Sequence, residues 1–330
     1  MEKKKVGIVC GGFTSEYTIS LQSGQTVFDH LDTTLWEGYL ITLRPDRWMA
    51  EDKNGVSYSV AKGDFTLNQN GEKIQLDVVF NAIHGAPGEN GQLAALLELL
   101  AIPFSSCDSY TSALTYNKRD CLSVLRDWNV PTAVHFALDK KDPIELKAIE
   151  KKVGFPCFVK ANRAGSSFGV FKVYSADALE NAIQEAFKED SQLLIESALI
   201  GREVSVGVAS LKGKTTVFPV TEIISENDFF DYAAKYEGQS QEITPADLPA
   251  SWLDQVKNWS EMIYNRLELR GVVRSEFIFV EGVPHLLEIN TVPGMTARSI
   301  IPQQVEAMGM NLKEFFTLLL KEALTENQHT

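Results

Sequence analysis

Strand-like runs fall in two patterns along this chain, and that contrast limits the fold more than any other feature. Through residue 105, apolar runs alternate with helical stretches. KVGIVC (5–10) reads as a buried strand, and GGFTSEYTIS leads through a loop into a helix near Ser20–Leu31. LDVVFNAI (76–83) reads as a second buried strand, followed by HGAPGENG and the helical QLAALLELLAI. Such alternation predicts an α/β domain built on a doubly wound parallel sheet over residues 1–105. From residue 199 onward EVSVGVAS, TTVFPVTEII, VVRSEFIFV and PHLLEIN follow one another, with a helix near 251–269. Strands in succession predict a mostly antiparallel α+β domain over 199–330. Between them, residues 106–198 offer an amphipathic helix (NKRDCLSVLRDWNV) and two strands around a Gly/Ser loop (GFPCFVKANRAGSSFGVFKVY). A further helix (ADALENAIQEAFKED) and the strand QLLIES complete that segment. Residues 225–247 are polar and weakly periodic, which predicts a functional loop.

Charge and composition exclude some partners. The chain has 330 residues and a formal net charge of −13. Nucleic-acid affinity rests on basic patches that neutralise phosphates, so no nucleic-acid partner is expected. No apolar run approaches the roughly 18 residues needed to span a bilayer, so no membrane partner is expected either. MEKKKVGIVCGG reads as an exposed end and a first strand rather than a leader. Cys10, Cys107, Cys121 and Cys157 are scattered without a CxxC pair and read as buried thiols of a reducing, cytoplasmic compartment. The five histidines also lack metal-ligand spacing.

Several short stretches carry candidate chemistry. In HLLEINTVPGMT, Glu288 and Asn290 lie two residues apart, so a strand points both to one side. The preceding run places Arg274 and Glu276 in the same way. If the two strands pair, Glu276, Glu288 and Asn290 converge as hard oxygen ligands suited to Mg2+. The same alternation also describes a half-solvated sheet face. KANRAGSSFGV sets Lys160 before Gly165, Ser166, Ser167 and Gly169, a pattern that can cradle phosphate through freed backbone N–H groups or form a plain hairpin turn. Neither GxxxxGK[ST] nor GxGxxG is present. Glu196 and Glu203 flank a strand break, where a carboxylate can accept from ribose hydroxyls or lie on the surface. Glu16 and His84 occupy loops at strand ends; His84 there can meet a small anionic substrate or serve the structure alone.

Taken in order, GG-x-T/S-x-E, HG…GE-x-G, VK…GSS-x-G, DY…KY, R-x-E and LLE-x-N-T-x-PGMT resemble the D-alanine–D-alanine ligases, enzymes of the ATP-grasp fold. The resemblance runs from about residue 5 to 325, and E-x-N-T-x-PGMT followed by S-x-x-P is its most specific part. It implies a pre-ATP-grasp, substrate-side first domain, a central ATP-grasp subdomain and a C-terminal one that holds the metal site and the mobile loop 225–247. ATP and D-alanine would be substrates, with two Mg2+ ions, replaceable by Mn2+, held by Glu276, Glu288 and Asn290. Lys118, Lys160 and Lys235 would hold phosphates and nucleotide, and Glu196 and Glu203 the adenosine. Arg274 and the Gly294 backbone would form the oxyanion site. Glu16 would anchor the first ammonium, and Ser299 with the following backbone the second carboxylate, with His84 nearby. Ser166 and Tyr236 would link to Glu16 and close the loop over the site. The family also implies a homodimer through the first domain and a role in peptidoglycan precursor synthesis.

The chain departs from that pattern in places. Glu276 stands where the family usually has Asp, Ala164 falls at a variable loop position, and Phe230 replaces a common tyrosine. SALI after Glu196 lacks an aromatic residue often found there. Tyr236 favours a dipeptide product, since a His is expected in ligases that use D-lactate. A ligase with D-Ser or D-lactate as second substrate is the alternative within the fold, and a non-catalytic nucleotide-binding protein the alternative outside it.

Overall fold

The computed structural model describes residues 2–165, 169–225 and 240–326. A seven-stranded sheet opens the chain: β1 (Lys4–Gly11), β2 (Trp36–Leu43), β3 (Trp48–Asp52), β4 (Ser57–Val60), β5 (Leu67–Gln69), β6 (Glu72–Ile74) and β7 (Val78–Asn81). Its order is β6-β5-β4-β3-β2-β1-β7. β1 pairs in parallel with β7, as the two buried apolar runs predict, and also with β2, a strand those runs do not include. From β2 to β6 every pairing is antiparallel. The sheet is therefore mixed: a parallel centre extended by a meander in which β4 alternates exposed and buried residues. Helices cover both faces, α1 (Tyr17–Asp29) on one and α2 (Gln92–Leu99) on the other. Val6 and Ile8 pack in the layer of Val27, whereas Val9 packs in the layer of Leu93 and Leu97.

α3 (Ser109–Tyr116) and α4 (Lys118–Asp127) follow. A four-stranded sheet of order β10-β9-β11-β8 comprises β8 (His135–Asp139), β9 (Cys157–Ala161), β10 (Val170–Val173) and β11 (Gln192–Ser197). α5 (Leu146–Val153) and α6 (Ala176–Ala186) pack on it through Ile149, Leu179 and Ile183. β9 and β10 are antiparallel and embrace the Gly/Ser loop, as expected.

A six-stranded antiparallel sheet completes the fold: β12 (Arg202–Leu211), β13 (Lys214–Val217), β14 (Thr221–Ser225), β15 (Ser240–Ile243), β16 (Val272–Val280) and β17 (Val283–Asn290). The expected single strand TTVFPVTEII is two strands, divided at Phe218–Val220, where Pro219 has no N–H to give a ladder. Residues 240–243, expected within a long loop, form a strand paired with β14. α7 (Ala250–Arg266) covers one face together with α4, whose Cys121, Leu122 and Leu125 share a core with Val204 and Phe277. α4 thus packs against the third sheet, although its sequence stands next to the second. α8 (Ile300–Ala307) and α9 (Leu312–Glu326) end the described chain. α9 reaches back to the first sheet, where Phe316 meets Phe80 edge-on at 5.6 Å between ring centres. All four cysteines are buried and free. Among the described residues no helix is long and apolar enough to cross a membrane.

Candidate active site

Backbone geometry brings the sequence candidates together. β1 and β7 run in parallel, so the loops after Gly11 and Asn81 leave the same edge of the sheet. One carries Glu16, at the N-cap position of α1, and the other carries His84. Both side chains are buried, at 7% and 5% exposure. Gly85, at φ 70°, and Gly165 make room for the Glu16 carboxylate; a Cβ on Gly165 would lie 2.6 Å from Glu16 Oε2.

β16 and β17 pair in the register the sequence required. Glu276 faces Glu288, and Arg274 faces Asn290. A bulge after Glu276 opposes Phe277 with Leu286, so Leu287 is the extra residue. Arg274 Nη2 donates to Glu276 Oε1 at 2.6 Å, and Asn290 Oδ1 accepts from Val292 N at 3.0 Å. Lys118, at the first turn of α4, donates to the Ala164 carbonyl at 2.6 Å and stands 3.3 Å from Glu288 Oε2. Across the groove Lys160 Nζ donates to Glu196 Oε2 at 2.8 Å. Burial pulls the Lys160 ammonium down, but Glu196, Glu288 and Glu203 outweigh it, and the net shift is upward. Lys160 therefore holds its positive charge.

Two cavities meet at this junction. The larger, about 310 Å³, is lined by Glu16, His84, Arg274, Asn290, Gly294 and Ser299. The smaller, about 120 Å³, is lined by Lys160, Glu196, Glu203 and Glu276, with Phe158, Leu199 and Ile278 as apolar walls. Lys118, Gly165 and Glu288 line both. An apolar slot with acidic ends beside a polar chamber suits a nucleotide next to small zwitterions.

His84 works through its neighbours. Its Nδ1 lies 2.8 Å from the Val292 carbonyl, which only accepts, so Nδ1 bears the hydrogen. Nε2 then accepts from Ser23 Oγ at 2.9 Å, and Ser23 Oγ accepts from Met295 N at 3.2 Å. Burial lowers the pKa of His84 and keeps the ring neutral, against the pull of Glu16. The imidazole thus ties β7 and α1 to the Pro-Gly loop. Ser299 stands at the N-cap position of α8 without bonding the helix N–H groups, and its Oγ is 2.8 Å from Thr296 Oγ1.

Of the fifteen sequence candidates, Ser166, Lys235 and Tyr236 lie outside the described residues. The other twelve all line one or both cavities. Four titratable residues of the larger cavity were not singled out from sequence: Glu89, Tyr116, Glu242 and Arg298. Glu89 sits inside the quoted HGAPGENG loop, yet only the fold shows that its side chain turns inward to accept from Gly85 N at 2.7 Å. Burial beside Glu16 pushes its carboxyl up to about 8. Among the described residues no three His, Cys, Asp or Glu side chains gather as a metal group. Two carboxylates and an amide still match a hard cation that takes its remaining oxygens from phosphates and water.

Comparison with known proteins agrees with this geometry. The chain matches family models for the D-ala D-ala ligase N-terminus over residues 5–107 and the D-ala D-ala ligase C-terminus over residues 124–321. It is 50% identical over 321 residues to the D-alanine–D-alanine ligase of Flavobacterium johnsoniae, covering 97% of this chain and 99% of that one. It is also 50% identical over 324 residues to the D-alanine–D-alanine ligase of Christiangramia forsetii, covering 98% and 99%. Among solved structures, D-alanyl-alanine synthetase A of Vibrio cholerae superimposes with a TM-score of 0.88 at 28% identity, covering 98% and 99%. The VanG D-Ala:D-Ser ligase of Enterococcus faecalis gives 0.87 at 27% identity, covering 98% and 100%.

Proposed function

The chain belongs to the D-alanine–D-alanine ligase family and is an ATP-dependent ligase that joins two D-alanines for cell-wall synthesis, and we propose how its residues divide that work. The observation that carries the assignment is the meeting of the two cavities at Lys118 and Glu288, which lets a nucleotide phosphate reach an amino-acid carboxylate.

A carboxylate is a poor electrophile. In the first step an oxygen of the first D-alanine's carboxylate bonds to the γ-phosphorus of ATP, and the bond to ADP breaks. Lys118 and Lys160 hold the phosphate charge, with Glu196 and Glu203 along the adenosine. Such catalysis is mostly positioning and electrostatics. Glu276, Glu288 and Asn290 would hold two Mg2+ ions, which when bound supply charge to the phosphate oxygens. Glu16, buried at the end of the amino-acid cavity, holds the first ammonium.

In the second step the amine of the second D-alanine attacks the acyl carbon, and inorganic phosphate leaves. Arg274 and the Gly294 N–H stabilise the tetrahedral oxyanion. Ser299 and the free N–H groups opening α8 bind the second carboxylate, as helix N-termini suit anions. His84 holds the Pro-Gly loop in register for that attack.

The test is phosphate release from MgATP with D-alanine, L-alanine or no amino acid, with the product identified by mass. Release that depends on D-alanine and a D-alanyl-D-alanine mass uphold the assignment; ATP hydrolysis indifferent to amino acid overturns it. Parallel reactions with D-serine and D-lactate measure acceptor preference. The proposal includes a homodimer, supported by the family likeness and checked by sedimentation equilibrium.

A further inference from the structure

The chamber expected to take the second amino acid has an anchor that the roles above leave unused. α8, whose first turn offers Ser299 and free N–H groups, is fixed to the third sheet by Ile300, Gln303 and Gln304, spaced i, i+3 and i+4 on one face. Ile300 packs against Ile223 of β14. Gln304 is fully buried; its amide nitrogen donates to the Ser205 carbonyl at 3.0 Å and to Thr221 Oγ1 at 3.1 Å, and its oxygen accepts from Gly207 N at 3.1 Å. The first contact seats the start of the helix by apolar packing, and the second fixes its middle.

The third contact is different in kind. Gln303 Nε2 donates to Glu242 Oε2 at 2.5 Å and to the Arg298 carbonyl at 3.0 Å. Glu242 lies on β15, directly across from Ile223, and its carboxylate lines the amino-acid cavity beside Arg274. One amide group therefore holds both the cavity wall and the backbone just before Ser299. Both partners of that amide are oxygens, which fixes its orientation.

We propose that the Glu242–Gln303 hydrogen bond is a positioning element for the second substrate: it holds the opening turn of α8, where that substrate's carboxylate docks, in register with β15. The proposal rests on the ligase reading above. Gln303 touches neither substrate in this scheme and acts through the backbone of Arg298 and Ser299. Formation of the acylphosphate uses Glu16, Lys118 and Lys160 rather than the pair, so it is expected to survive a change at Gln303.

The experiment separates the two half-reactions of the full-length enzyme. Hydroxylamine traps the acylphosphate by attacking its acyl carbon and displacing phosphate, giving D-alanyl hydroxamate. Dipeptide formation against D-alanine concentration gives the Michaelis constants of both sites. Gln303→Ala raises the constant for the second D-alanine about tenfold, the cost of one hydrogen bond to a charged group. Hydroxamate formation stays within about twofold. Gln303→Glu, which sets two carboxylates together, raises the second constant further. The exchanged pair Glu242→Gln with Gln303→Glu rebuilds the contact to β15 in reverse but leaves a carboxylate against the Arg298 carbonyl, so it recovers part of the loss seen in Gln303→Glu and not all of it.

A second constant unchanged in both single variants overturns the proposal. So does hydroxamate formation that falls in parallel, or an exchanged pair no better than Gln303→Glu alone. A parent enzyme that releases no phosphate with D-alanine overturns the ligase reading instead.

Discussion

Replacing Glu89 by Gln should make the protein more resistant to alkaline conditions. Glu89 is 8% exposed, accepts from Gly85 N at 2.7 Å, and shares its pocket with the Glu16 carboxylate. Desolvation, reinforced by Glu16, raises its carboxyl from 4.5 to about 8. Below pH 4.5 the folded and unfolded chains both carry the proton, and the group makes no pH-dependent difference. Between pH 4.5 and about 8 the unfolded chain ionises while the folded one keeps its proton, so stability falls as pH rises. At about 1.4 kcal/mol per pH unit, that interval sets a ceiling of about 5 kcal/mol, lost fully above pH 8. Glu16 shares the repulsion, which brings the expected loss to a few kcal/mol. The amide introduced by Glu89→Gln would keep the oxygen that Gly85 needs and cannot ionise. Urea denaturation of both proteins at pH 5 and pH 8.5 reads the difference directly. The variant should match the parent within about 1 kcal/mol at pH 5 and exceed it by about 2 kcal/mol or more at pH 8.5. A gap that does not change with pH would refute the reasoning, because it would mean that Glu89 ionises normally.

Three further outcomes follow from the same geometry. Glu288→Gln removes a carboxylate shared by both cavities and should lower D-alanine-dependent phosphate release by about 100-fold or more, with a weakened response to added Mg2+, measured in a magnesium titration. Gly165→Ala places a methyl group 2.6 Å from Glu16 Oε2 and should raise the Michaelis constant for the first D-alanine while leaving the melting temperature near that of the parent, read by steady-state kinetics and calorimetry. Phe316→Ala empties a fully buried site between α9 and the first sheet and should cost about 3–5 kcal/mol in urea denaturation.

Much of the site was legible in sequence because strand geometry is local. Two-residue spacing put Arg274 with Glu276, and Glu288 with Asn290, before any fold was known. The parallel centre of the first sheet was legible for a related reason: strands buried on both faces read as continuous apolar runs, as in KVGIVC and LDVVFNAI. β2 to β6 were not legible, because short half-exposed strands leave too little pattern to separate from loops. The register of β16 on β17, with its bulge at Leu287, decided that the oxygen pairs face each other, and a shift of one residue would have turned one pair away. Burial was the other undecided quantity. Glu89 and Glu242 look like any surface carboxylates in the sequence, and only packing from segments far along the chain makes one buried and seats the other on a cavity wall. The same holds for His84, whose burial keeps it neutral and whose tautomer depends on a carbonyl 208 residues away and on Ser23 of α1. The order of residues settles which side chains share a strand face. What those faces meet, and how much water reaches them, is settled by packing, because both depend on contacts distant in the chain.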